Sequence, residues 1–235
     1  MRRLAGLLSL TLVTMTAMAQ DTHSIQLETF WFVFFESGEN KNPMTKEERE
    51  AQLKGHLGNL NRMSDEGKCI AAGPFGGDQA RRGIVILKQD KLKTKQDVLN
   101  EFANDPFVNG DRLRVDLHAW MTLKGSVKKW REPEEIKSYV FVILSTGDDT
   151  TVLPEKEAGD LQTAHLGHII AMMKDNELGL AGPFSEDTPM RGLLFFKHSD
   201  VEKAKAIVEK DPLISRKRLK ATYLVLWMAA GIVGD

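Results

Sequence analysis

Four residues carry the chemistry this sequence can offer: His56, Asp105, His165 and Asp211. A carboxylate bonded to one imidazole nitrogen fixes the tautomer and raises the basicity of the other, which suits a general base near neutral pH. Each aspartate precedes a proline, Pro106 or Pro212. Asp-Pro also opens type I turns, in which the Asp side chain bonds the backbone two residues on. The two readings are compatible, because a turn-locked carboxylate is a well-positioned one. Each histidine borders an apolar helical stripe, His56 between Leu53 and Leu57 and His165 between Leu161 and Ile169. An imidazole tied only to backbone is the alternative there.

These residues come in pairs because the chain repeats itself. His56-Leu57-Gly58, Gly73-Pro74-Phe75, Arg82-Gly83, Asp105-Pro106-Phe107 and Trp120-Met121 return as His165-Leu166-Gly167, Gly182-Pro183-Phe184, Arg191-Gly192, Asp211-Pro212-Leu213 and Trp227-Met228. From His56/His165 to Gly83/Gly192 the offset is a constant 109, and Phe32/Phe141, Val33/Val142, Gly38/Gly147 and Met63/Met172 keep it. A constant register through strands, turns and a helix marks duplication of a whole folding unit.

Each unit reads β-α-β-β-α-β. In the first, an aromatic strand over 29–35 leads through a loop to Thr45, which with Glu48 three residues on gives a capping-box start. Leu53, Leu57, Leu60 and Met63 then recur at helical spacing. Strands over 69–72 and 83–87 flank a Gly-rich turn. Thr94 opens a second helix with Val98, Leu99 and Phe102 inward, and a strand over 113–121 ends the unit. The second copy repeats this with strands over 139–144, 178–181, 193–196 and 219–228 and helices over 155–175 and 201–209. Phe30 to Phe35 and Tyr139 to Leu144 are unbroken apolar runs. A sheet with one wet face alternates apolar and polar residues, so these strands require cover on both sides. Both helices of such a unit lie on one face, so the other face is expected to pack on the twin repeat.

The order and spacing of His-Leu-Gly, Gly-Pro-Phe, Asp-Pro-Phe and the late Trp, seen twice, resemble the YCII-related (YciI-like) family of the dimeric α/β-barrel superfamily. The resemblance covers about 28–123 and 137–230. It implies an α+β fold of two ferredoxin-like (βαββαβ) repeats packed sheet to sheet, here as an intramolecular dimeric α/β barrel. It also implies a cleft in which the helix histidine and the aspartate before proline act as an acid/base pair, placing His56, Asp105, His165 and Asp211 as catalytic candidates. Haem is used by some relatives in the superfamily, but nothing in the sequence singles out an axial ligand, and no cofactor is expected. Gly73-Pro74 and Gly182-Pro183 read as tight strand exits, since Gly adopts backbone shapes other residues avoid and Pro fixes the next φ. A cleft floor of exposed N–H groups is the functional variant, with Gly73, Pro74, Phe75, Gly182, Pro183 and Phe184 as ligand-binding candidates.

The ends and composition narrow the rest. Arg2 and Arg3, an apolar run from Leu4 to Met15 and the small-x-small site Ala17-Met18-Ala19 form a signal peptide over 1–19, so a secreted or periplasmic protein without a retained membrane anchor is expected. Repeat 1 spans 26–123, a charged linker 124–136 and repeat 2 137–231. Trp130 is expected to pin that linker to a domain. A net charge of −1 without a basic stripe argues against nucleic acid. Cys69 is the single cysteine, which excludes an intramolecular disulfide and reads as a small apolar strand residue. His165 and His168 could start a metal site, but a third ligand such as Asp211 would be needed at a spacing not visible here, so His168 reads as solvent-facing and no metal is expected. No dinucleotide loop, nucleophile elbow or Cys pair is present. The functional expectation is therefore a cofactor-independent acid/base enzyme of isomerase, lyase or hydrolase type on a small organic molecule, using the His–Asp pairs. The alternative is a non-catalytic small-molecule-binding module of the cell envelope. Pairing of the repeats within one chain is expected, with room for further oligomerisation.

Overall fold

The computed structural model describes residues 26–77, 79–128 and 135–234. The signal segment and its cleavage site, and linker residues 129–134 including Trp130, lie outside them. Repeat 1 contains β1 (Leu27–Ser37), α1 (Lys46–Asp65), β2 (Cys69–Pro74), β3 (Arg81–Lys88), α2 (Lys95–Phe102), α3 (Pro106–Asn109) and β4 (Leu113–Leu123). Repeat 2 contains β5 (Ile136–Thr146), α4 (Glu155–Lys174), β6 (Leu178–Pro183), β7 (Met190–Phe196), α5 (Val201–Val208), α6 (Pro212–Ser215) and β8 (Leu219–Ala229). The sheets are ordered β2-β3-β1-β4 and β6-β7-β5-β8, antiparallel throughout. Both expected helix starts are in place: Thr45 with Glu48 and Thr94 with Asp97 form complete capping boxes, each satisfying two N–H groups that a helix end leaves orphaned.

The unbroken strands are covered on both faces, as their pattern requires. Phe30, Phe32 and Phe34 enter one core with Tyr139, Phe141 and Phe195, between the sheets. Trp31, Val33 and Phe35 enter another with Met63, Val98 and Phe102, beneath the helices. Phe32 and Phe141, equivalent residues of the two repeats, stack at 6.1 Å and 17°. The local two-fold relating the repeats therefore passes between them.

The sheets are also joined at their edges. β2 meets β8 through a Phe75–Leu226 bridge, and β4 meets β6 through a Trp120–Phe184 bridge. Gly76 N–H donates to Val225 O at one seam (2.8 Å), and Ser185 N–H donates to Ala119 O at the other (2.9 Å). The strands thus follow one another in the ring β2-β3-β1-β4-β6-β7-β5-β8, in which, among the described residues, the outer strand of each sheet meets an outer strand of the other.

The tryptophan repeat is out of register. Phe30 pairs with Trp120, whereas its equivalent Tyr139 pairs with Leu226. The connection from Lys197 to Asp200 is three residues shorter than that from Lys88 to Thr94, so the offset falls to 106 beyond it. Trp227 therefore lies one residue away from the position equivalent to Trp120, and one residue turns a strand side chain to the other face. Trp120 is fully buried, while Trp227 is 44% exposed.

Candidate functional site

Asp105 and Asp211 act as helix N-caps rather than as turn openers. Each caps a four-residue helix with proline in its first turn, where the missing N–H costs nothing. One oxygen of Asp105 accepts from the Phe107 and Val108 N–H groups at 3.1 and 3.4 Å. The corresponding oxygen of Asp211 accepts from Leu213 N–H at 2.8 Å. The second oxygen of each takes a histidine: His56 Nδ1 donates to Asp105 Oδ2 at 2.7 Å and His165 Nδ1 to Asp211 Oδ2 at 2.6 Å. Capping and pairing are thus performed by the same carboxylate, and both aspartates are buried. Burial alone would push the Asp105 carboxyl up, but the His56 bond and charge, the Val108 N–H and Asn59 together hold it below its ordinary range.

The helix rotation that brings His56 to Asp105 differs from the apolar pattern. Leu53 and Leu57 are 45% and 47% exposed, and Leu99 on α2 also faces out. His56, Asn59, Leu60 and Met63 face inward instead. Polar tethers set this rotation. Asn59 Nδ2 donates to Glu101 O at 3.0 Å, and Gly55 lies so close to Pro106 that an added Cβ would come within 2.6 Å of its ring. A hydrogen bond to a charged group contributes about 1.5–3 kcal/mol, comparable to fully burying one leucine. Two half-exposed leucines do not outweigh that pair.

The copies diverge around this shared geometry. His56 sits edge-on to Phe35 and Phe107 at 5.3 and 5.5 Å. Leu144 and Leu213 stand at the equivalent positions in repeat 2, and Leu161 replaces Gln52. His168 takes over both the place and the role of Asn59. Its Nε2 lies 3.1 Å from Ile207 O, the carbonyl equivalent to Glu101 O. His168 is therefore an inward tether, not a solvent-facing residue, because its ring nitrogen reaches the same helix end as the Asn59 amide. Among the described residues no group of three or more His, Cys, Asp or Glu is placed to hold a metal. Cys69 is buried and its thiol is pushed up to about 12 by burial, so it stays protonated.

The Gly-Pro-Phe segments do not share a cleft with the histidines. Phe75 and Phe184 lie in the inter-sheet core, on the opposite face of the sheets from α1 and α4. Gly73 and Gly182 are where the seams come closest: a Cβ on Gly73 would collide with Trp227 O, and one on Gly182 with Met121 O. Pro74 and Pro183 pair with Gly83 and Gly192 at the ends of β2 and β6. Glycine is required here for backbone approach, which accounts for the motif in both copies. Sequence reasoning offered a strand exit; the seam depends on contacts with strands of the other repeat, distant in the chain. Among the described residues, a surface cleft of about 550 Å³ lies beside Thr29, Lys88 and Lys93 and another of about 480 Å³ beside Leu53 and Leu57. Neither is lined by a member of a His–Asp pair.

The two four-stranded sheets and their helices form a dimeric α/β-barrel fold that carries both ferredoxin-like halves in one chain. No protein-family model matches the sequence, and no curated protein matches it. Solved structures do match. A mutant chlorite dismutase from Candidatus Nitrospira defluvii has a TM-score of 0.56 at 12% identity, over 90% of this chain and 95% of that one. Another mutant of that enzyme, in complex with cyanide, scores 0.55 at 11% identity over 88% and 93%. A haem-binding protein from Thermus thermophilus scores 0.52 at 16% identity over 86% and 92%. Likeness at these identities establishes the barrel fold. It also corrects the expectation of a cofactor-independent acid/base enzyme, because barrels matching nearly the whole chain include a haem-binding protein.

Proposed function

We propose that this chain binds haem through its second repeat, where His165 would hold it and Asp211 would back the imidazole. One observation carries the reading: His165 is a buried imidazole whose Nδ1 is held by a carboxylate at 2.6 Å, while its Nε2 makes no hydrogen bond among the described residues. An axial or metal-binding histidine has this arrangement, since the outer carboxylate fixes the tautomer, orients the ring and strengthens the free nitrogen as a donor. The donor chemistry therefore fits. The surroundings favour His165 over His56, because Leu161 and Met172 share the buried face of α4 and a macrocycle needs apolar walls. Beneath that face Val142, Leu194, Phe196 and Val208 already fill the layer against the sheet. Uptake must displace packed side chains, and the apparent affinity is lowered by the fraction of molecules in which they have parted.

Bound there, haem would supply the redox and ligand-binding chemistry, while the chain sets its donor strength and access. The YCII-related resemblance points to the same paired histidines and aspartates, but as an acid/base pair and not as a haem donor. Secretion, read from the amino-terminal signal, belongs to this proposal too. Haemin titration followed by absorbance tests it. Wild type is expected to saturate with one haemin and a shifted Soret band. His165→Ala is expected to lose that shift with at least a roughly tenfold weaker affinity, and Asp211→Asn to bind roughly 10–100-fold more weakly. His56→Ala should leave the titration unchanged. Identical titrations of wild type and His165→Ala would remove His165 as the donor and the proposal with it.

A further inference from the structure

The two seams share a backbone but not their side chains. At the β4–β6 seam, His118 Nε2 donates to Asp116 Oδ1 at 2.9 Å. Its Nδ1 is buried without a partner, 3.9 Å from Glu186 Oε2. Glu186 reaches across from repeat 2, accepting from Ala119 N–H at 3.0 Å and from Lys95 Nζ at 2.8 Å. Phe184 lies 5.3 Å from the imidazole ring and Phe34 6.4 Å. Arg81 sits over Phe34 at 4.3 Å and pairs with Glu36 at 2.7 Å. At the β8–β2 seam the equivalents of His118, Asp116, Glu186, Lys95, Arg81 and Glu36 are Leu224, Thr222, Gly77, Val201, Met190 and Ser145. Of these two sets, only the first carries charge.

The charged groups around His118 are thus Asp116 on its own strand, Glu186 on the β6–β7 turn and Lys95 on α2, with the Arg81–Glu36 pair of β3 and β1 beside the Phe34 ring that packs on the imidazole. With a neutral imidazole this set holds three carboxylates against two cations. The Nδ1 lone pair then faces a carboxylate oxygen, acceptor against acceptor. One proton on Nδ1 balances the set and supplies a donor. Asp116, bonded by His118, is held below its ordinary range. Glu186 is pushed up by burial but held below its range by Lys95, the Ala119 N–H and His118. Both carboxylates therefore remain charged at pH values where an imidazole takes up its proton.

We propose that His118 is a proton-operated latch across the β4–β6 seam: protonated, it bonds Asp116 and Glu186 together and ties repeat 2 to repeat 1; neutral, it lets this seam loosen while the β8–β2 seam is unaffected. The sign follows from the contacts. The closed seam offers Nδ1 a carboxylate acceptor only when the imidazole is protonated, so the added stability is present at acid pH and is lost as pH rises. The opposite seam provides an internal reference. Amide hydrogen exchange of Ser185, at the charged seam, is compared with that of Gly76, at the apolar one, from pH 5 to 8 in the full chain. Taking the ratio cancels the intrinsic pH dependence of exchange. In wild type, protection of Ser185 relative to Gly76 is expected to fall roughly tenfold across this range, the equivalent of one charge-assisted bond. In His118→Leu, which installs the residue of the opposite seam, and in Glu186→Gln, the ratio should be flat. A ratio independent of pH in wild type, or an unchanged pH dependence in either variant, overturns the latch.

Discussion

Gly182→Val is expected to cost at least about 3 kcal/mol and to lower the melting temperature by roughly 6–12 °C, with Gly73→Val close behind. An added side chain at Gly182 meets the Met121 carbonyl and the Thr122 Cα, and at Gly73 the Trp227 carbonyl and the Met228 side chain. These obstacles are mostly backbone, held in place by the ring of strands, and cannot rotate aside as a flexible side chain could. Relief requires the seam to open. That would break the Trp120 Nε1–Gly182 O bond at 2.9 Å and the Thr122 Oγ1–Ala181 O bond at 2.8 Å. Gly167 and Gly159 on α4 provide the control, since a Cβ at either meets nothing within 4 Å. Alanine there is expected to stabilise by up to about 1 kcal/mol through helix propensity. Denaturant unfolding of the four variants tests the contrast. A seam variant as stable as the helix controls would mean that the barrel is not closed in solution.

Much of this architecture was legible because it is local or periodic. Thr45-x-x-Glu48 specifies a helix start from four residues. The lack of alternation in Phe30–Phe35 specifies two buried faces, and therefore a second sheet, without reference to any partner. The features that were not legible depend on distant contacts. The outward turn of Leu53 and Leu57 is imposed by Asp105, Glu101 and Pro106, far along the chain, and the helix pattern alone favours the opposite rotation. Trp120 and Trp227 look equivalent in sequence, yet a shorter connection before α5 shifts β8, and only pairing with β5 reveals it. The approach of His118 to Glu186 was not visible because Glu186 belongs to the other repeat. The His–Asp pairs lie between these cases: the residue types and the duplication pointed to them, but their double use as caps and as imidazole partners emerges only from the fold.

Removing either carboxylate should be the most damaging change at the pairs. Asp105→Ala takes away the cap of α3 and leaves the His56 imidazole, whose side chain is 12% exposed, without its partner. Breaking a buried pair from one side costs about 3–5 kcal/mol, and a lost N-cap about 1 kcal/mol, with overlap between the two. Asp211→Ala should be similar, since His165 is also buried and bonded at 2.6 Å. Asp105→Asn separates the contributions: its amide oxygen can still cap α3, so the remaining loss relative to wild type belongs to the imidazole bond. The pH dependence gives an independent check at Asp105. Its carboxyl is held below the ordinary range when folded. Its contribution is therefore fully present above the unfolded value of about 3.9 and disappears as pH falls through the lower, folded value. The stability gap between wild type and Asp105→Asn, measured by urea unfolding, should be large at pH 7 and shrink steadily below about pH 4. A gap of constant size from pH 7 to pH 3 would show that the Asp105 charge contributes nothing, and that the pair is held together by packing and the cap alone.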